Sequence, residues 1–76
     1  LERKISIFPN PAKEILHIRA TDVILESVIL YNANGQAVLQ NSTTNSFSIE
    51  SLEAGLYFCK ILTDKGLITK RIAVVR

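Results

Sequence analysis

The sequence predicts an all-β domain, a seven-stranded immunoglobulin-like (Greek-key) β-sandwich, on three observations. Segments rich in Ile, Val and Leu recur with turn signals about every eight to twelve residues. No stretch sustains helical periodicity, and the one run whose spacing fits a helical turn, Ile24 to Leu30, is rich in β-branched residues. The segment Leu52-Glu53-Ala54-Gly55-Leu56-Tyr57 places Leu, Gly and Tyr in the order of a tyrosine corner. In that device a tyrosine near the start of the sixth strand bonds back to backbone upstream and pins the crossing between sheets.

Ile5, Ile7 and Phe8 run straight into Pro9-Asn10-Pro11. Two prolines lack the donors an interior ladder requires, so an edge strand ended by a rigid turn is predicted. From Glu14 to Ala20, Leu16 and Ile18 alternate with His17 and Arg19, the period of a half-buried strand, and Ile15 blurs it. Thr21-Asp22 breaks the run. Ile24 to Asn32 is too consecutively apolar for one exposed face, which reads as a central strand covered on both sides at one end. Asn34-Gly35 predicts a two-residue type I′ hairpin returning through Gln36 to Gln40.

The polar stretch Asn41-Ser42-Thr43-Thr44-Asn45-Ser46 reads as a mobile loop. Phe47 and Ile49 alternate in a short fifth strand, and Ser51 to Gly55 turns the chain into the next. Beyond Tyr57, parity groups Cys59 with Ile61 and sets Phe58, Lys60 and Leu62 on the opposite side. Asp64-Lys65-Gly66 predicts a three-residue hairpin loop with Gly66 in the left-handed position, and the last strand runs from Leu67 to Val75.

Composition narrows the function. At 76 residues the chain is one small domain, a size at which folding buries only about 60% of the extended chain's surface. A net charge of +2 from nine scattered basic residues makes no nucleic-acid footprint. One Cys excludes an internal disulfide, and with a single His it falls short of a four-ligand zinc site, so no metal and no cofactor is expected. The apolar runs are far shorter than the roughly 20 residues that span a bilayer. The chain begins without Met or a signal-peptide pattern, so residues 1–76 read as a single domain cut from the end of a longer protein.

No catalytic constellation stands out, and an enzyme is not expected. Cys59 lies two residues after Tyr57, where antibody-type domains place the second cysteine of their inter-sheet bridge, but there is no first. With Leu16 or Ile18 opposite it on the second strand, it reads as a buried thiol acting as a small hydrophobe. A nucleophile needs a positive, partly exposed setting and a base, and His17 faces outward as a solvated strand residue. The acids Glu2, Glu14, Asp22, Glu26, Glu50, Glu53 and Asp64 are spread over turns and strand ends, with no local acid–base pair. Most of the aromatics Phe8, Tyr31, Phe47, Tyr57 and Phe58 read as core or corner. Lys70-Arg71 reads as an exposed basic pair, serving either edge protection or recognition.

An ordered set of motifs carries a resemblance: Phe8-Pro9-Asn10-Pro11-Ala12, Leu16-His17-Ile18, Val28-Ile29-Leu30-Tyr31-Asn32 followed by Gly35, Leu52 to Tyr57, and the basic-apolar end Lys70-Arg71-Ile72. Together they resemble the C-terminal sorting domain (type A) of proteins exported by the bacterial type IX secretion system, over nearly the whole chain. The family-motif positions are Pro9, Asn10, Pro11, Gly35, Leu52, Gly55 and Tyr57. Phe8 stands where the family often has Tyr, and Leu56 where it often has Ile.

The resemblance implies a non-catalytic address that follows a cargo in cis. Translocon and shuttle components recognise it in the periplasm or at the outer membrane, and the product is secreted or displayed on the cell surface. It further implies a sortase-like peptidase that cuts at or before Leu1, with cargo released or attached to anionic lipopolysaccharide. Because a sheet edge offers unpaired backbone groups to a partner, the last strand, Leu67 to Arg76, is the expected recognition element. Its residues Lys70, Arg71, Ile72, Val74, Val75 and Arg76 are the recognition candidates, with Lys70, Arg71 and Arg76 giving orientation and the Pro9-Asn10-Pro11 turn second. The competing reading is a fibronectin-like or carbohydrate-binding accessory module of a secreted enzyme, which calls for an exposed aromatic platform. A structural spacer is the third.

Overall fold

The computed structural model describes residues 4–41 and 45–76. The chain is all-β and forms two sheets. Its elements are β1 (Ile5–Phe8), β2 (Ile15–Ala20), β3 (Leu25–Asn32), β4 (Ala37–Asn41), β5 (Ser46–Ser48), β6 (Gly55–Thr63) and β7 (Gly66–Val74). Six of them are four residues or longer, whereas β5 has only three, so the expected set of seven full strands is met in part. One sheet has the order β1-β2-β5, the other β4-β3-β6-β7, with every pairing antiparallel.

The two-residue period decides which side chains meet between the sheets. From the small sheet come Ile5, Leu16 and Ile18; from the large one Val28, Leu30, Tyr57, Cys59, Ile61, Ile68, Ile72 and Val74. Ala12 and Ile49, from the connections, complete the buried cluster, and half-buried Ile7, Ala20, Val38, Leu39 and Leu52 pack against it. Few large side chains fill this interior, so branched aliphatics interdigitating at close-packed density supply its cohesion. β3 is the central strand expected, bounded by β4 and β6, and half-buried Ile29 and Tyr31 on its other face explain its apolar run.

Two turns differ from the sequence reading. Asn34-Gly35 does not form a two-residue type I′ turn, because Gly35 has φ +85 while neither Ala33 nor Asn34 has positive φ. The loop is Ala33-Asn34-Gly35, closed by Gly35 N–H to Asn32 O at 3.0 Å and Asn32 N–H to Gln36 O at 2.9 Å. This is the three-residue hairpin, a type I turn followed by a left-handed glycine. The competing interaction is the Asn32 side chain: its Oδ1 accepts from the N–H groups of Asn34 and Gln36, each at 3.0 Å.

The β6–β7 loop errs the other way. It holds two residues, Asp64 and Lys65, and Gly66 is already paired with Thr63 as the first residue of β7. Thr63, buried at the loop's base, tightens it by donating its hydroxyl to Gly66 O at 2.9 Å and accepting from Lys65 N–H at 3.1 Å. Within the predicted polar loop, β4 extends to Asn41 and β5 starts at Ser46, while residues 42–44 lie outside the described residues.

Candidate recognition surface

The opening of β6 is built as a tyrosine corner. Leu52 N–H donates to Ile49 O at 3.0 Å, turning the chain, and Gly55 enters β6 at φ +154, which side-chain-bearing residues rarely adopt. Tyr57 then reaches back, its hydroxyl donating to Glu53 O at 2.7 Å while its ring lies in the core. Two residues on, Cys59 is fully buried, and desolvation pushes its thiol up to about 12. A thiol that stays protonated there is a small core hydrophobe, as the sequence reading has it. His17 faces outward and stacks on Phe8 with ring centroids 5.4 Å apart.

β7 ends the large sheet, and its residues divide by parity. Ile72 and Val74 point into the core, at 1% and 2% exposure. Lys70 and Arg71 do not form one basic face. Lys70 occupies the inward register, opposite buried Cys59, and is half-buried, whereas Arg71 is exposed on the outer face opposite Phe58.

The strand's free edge is only half free. Asn10 lies against it, its Oδ1 accepting from Ala73 N–H at 3.1 Å and its Nδ2 donating to Arg71 O at 3.4 Å. Ala12 continues the contact as a parallel bridge to Val74, with Ala12 N–H to Ala73 O at 2.8 Å and Val75 N–H to Ala12 O at 2.9 Å. Pro9 and Pro11 hold Asn10 between them without backbone donors of their own, and both X-Pro bonds are cis. The Pro9-Asn10-Pro11 segment is thus more than a strand terminator: it caps the C-terminal half of β7.

Arg76 completes the capping. Its guanidinium donates to the carbonyls of Lys13, Ile49 and Leu52, tying the tail to the turn before the tyrosine corner. The fork of N–H donors on arginine suits such a cluster of acceptors. Composition and spacing give no hint of this contact, because it joins residues far apart in the chain.

The outer face of the large sheet is apolar. Register places Ile29 and Tyr31 of β3, Leu56, Phe58 and Leu62 of β6, and Leu67 and Ala73 of β7 there, with Lys60, Thr69 and Arg71 among them. Leu67, Leu56 and Leu62 are 58%, 41% and 39% exposed. Tyr31, Asn32, Ala33, Gly35, Phe58, Lys60 and Thr69 line a shallow groove, in which Lys60 Nζ sits 5.1 Å from the Tyr31 ring centre. The expectation that most aromatics serve core or corner therefore fails. Of the described aromatic side chains, only Tyr57 is in the core, while Phe8, Tyr31 and Phe58 lie on outer faces because their strand parity opposes that of the buried aliphatics.

No curated protein matches the chain. A family model described as the secretion system C-terminal sorting domain matches residues 6–75, which takes in the Pro9-Asn10-Pro11 cap, the tyrosine corner and all of β7. By that match the chain belongs to the C-terminal sorting domain family, the type IX secretion signals that direct proteins across the outer membrane to the outside or the cell surface.

Proposed function

We propose that this domain is a non-catalytic address at the end of a larger exported protein, folded as an immunoglobulin-like Greek key and read by the type IX machinery mainly through β7. The strand orders β1-β2-β5 and β4-β3-β6-β7 support the immunoglobulin-like reading, with β6 in the place of the corner-bearing sixth strand. The single observation carrying the recognition reading is that β7, an end strand of nine residues, has an outer edge only half covered.

Within that reading the six candidates divide the work. Arg71 presents charge on the outer face, and Lys70 stands half-buried in the inner register opposite Cys59. Ile72 and Val74 hold the strand in the core, and Val75 and Arg76 lock its end. The cargo precedes the domain in cis, and a sortase-like peptidase cuts between them, releasing the cargo or transferring it to lipopolysaccharide.

Fusing residues 1–76 behind a periplasmic reporter in a type IX-competent bacterium tests the address. The reporter is expected in the medium or on the cell surface, and to stay in the periplasm when residues 67–76 are deleted. Export that is unimpaired without those residues rules out β7, and periplasmic retention of the intact fusion rules out the address itself.

A further inference from the structure

We propose that the open half of β7, Leu67 to Arg71, takes up an extended segment of a partner protein as an added strand. That segment carries an acidic side chain opposite Arg71 and an apolar one opposite Leu67. The inference rests on the reading that the machinery recognises β7, and names where and by what chemistry.

In an antiparallel ladder a residue's N–H and C=O point to the same neighbour, and successive residues alternate. Ala73 bonds outward to Asn10 and Ala12, and Arg71 O and Val75 N–H do likewise. The same parity sends the N–H and C=O of Leu67 and Thr69, and the N–H of Arg71, away from β6. Among the described residues nothing meets these groups. They form a repeating row of donors and acceptors that can accept another strand.

The sheets' other ends are blunted. β1 has four residues and runs into two prolines, β5 has three, and β4 has five with a register shift against β3. Against β6, β7 runs nine residues in unbroken register. It lacks the usual protection on Leu67 and Thr69, where no charge and no bulge stands.

The side chains say what fits. Leu67, Thr69 and Arg71 lie on the outer face, and Leu67 continues an apolar strip with Leu62. The charges at outward positions of β3, β6 and β7 are Lys60 and Arg71, both positive, while Glu26 sits in the β3 bulge, two strands away from β7. A second copy of this face would bring like charges together, so the complementary surface is acidic and apolar. A glycan is disfavoured because the amide best placed beside the Tyr31–Phe58 groove, that of Asn32, is spent: its Oδ1 accepts two backbone N–H groups and its Nδ2 donates to Gln36 Oε1.

Export of the reporter fusion, with thermal melting of each domain as the folding control, tests this. Thr69→Pro removes one outward N–H and leaves the β6 ladder intact, which an edge strand tolerates. It is expected to lower export at least about tenfold, the effect of losing about 1.4 kcal/mol of recognition, with a melting temperature close to the parent's. If it fails to fold, Leu67→Pro replaces it on the same logic. Arg71→Glu is expected to export at least as poorly as Thr69→Pro. Normal export of a folded Thr69→Pro domain overturns the added strand. If Arg71→Glu fails while Thr69→Pro succeeds, an anionic lipid or glycan is the ligand instead. In either case the parent fusion still exports, so the reading of the domain as an address survives; if the parent fusion is retained, that broader reading falls.

Discussion

The two halves of β7 share one strand and one ladder to β6, yet they are finished in opposite ways. From Arg71 O to Val75, the outer edge is satisfied by Asn10 and Ala12, the inner side chains Ile72 and Val74 are buried, and Arg76 binds the tail to three carbonyls. From Leu67 to Thr69 the edge carries no cover, and Leu67 is the most exposed leucine described. A single strand can therefore be anchored at one end and offered at the other. Anchoring the strand from Arg71 O to Arg76 keeps the exposed half from fraying.

The largest effect expected from breaking this contrast comes from the anchored half. Ile72→Ala should cost about 2–5 kcal/mol, while Leu67→Ala, on the open half, should stay within about 0.5 kcal/mol. Denaturant melts of the two variants check this, and equal losses would erase the distinction. Arg76→Ala comes next, at about 1.5–3 kcal/mol, because a charged donor leaves several carbonyls at once. The same melts, read beside Arg76→Lys, separate the fork geometry from charge alone, and the lysine should recover only part of the loss.

Cys59 marks the boundary, paired in register with Lys70. Its thiol is raised from 9.0 to about 12 by burial, so the neutral form is favoured in the fold. The stability it contributes is complete below pH 9 and is lost as pH rises from 9 towards 12, at about 1.4 kcal/mol per pH unit. Subtracting the pH profile of Cys59→Ala should isolate that slope, and parallel profiles would contradict the burial argument. Tyr57→Phe removes the 2.7 Å bond to Glu53 O and should cost about 1 kcal/mol, read from the same denaturant melts. It should leave both halves of β7 in place.

What was legible in the sequence follows from how local the signal is. Strand parity placed Leu16, Ile18, Tyr57, Cys59 and Ile61 inward correctly, since one residue's slip would reverse every face. The corner was legible because Leu52, Gly55 and Tyr57 lie within one turn of chain. Both hairpin loops differ from the expected length by one residue although Gly35 and Gly66 both take positive φ, because a glycine pattern does not count the loop residues that Asn32 Oδ1 and Thr63 Oγ1 close by accepting loop N–H groups. The outward aromatics were misassigned by type rather than by parity: a ring in a small β domain suggests core, but Tyr31 and Phe58 share a register facing away from it. Asn10 on β7 and Arg76 on Ile49 were illegible, as contacts across 61 to 63 and 27 residues leave no local pattern.

Amide hydrogen exchange along β7 tests the contrast most directly. The N–H groups of Ile68, Lys70 and Ile72, facing β6, and those of Ala73 and Val75, bonded to Asn10 and Ala12, should exchange slowly. Those of Leu67, Thr69 and Arg71 should exchange fast, giving an alternating pattern in the first half of the strand and continuous protection in the second. Uniform protection from Leu67 to Val75, or fast exchange at Ala73 and Val75, would contradict the division of β7 into an anchored and an offered half.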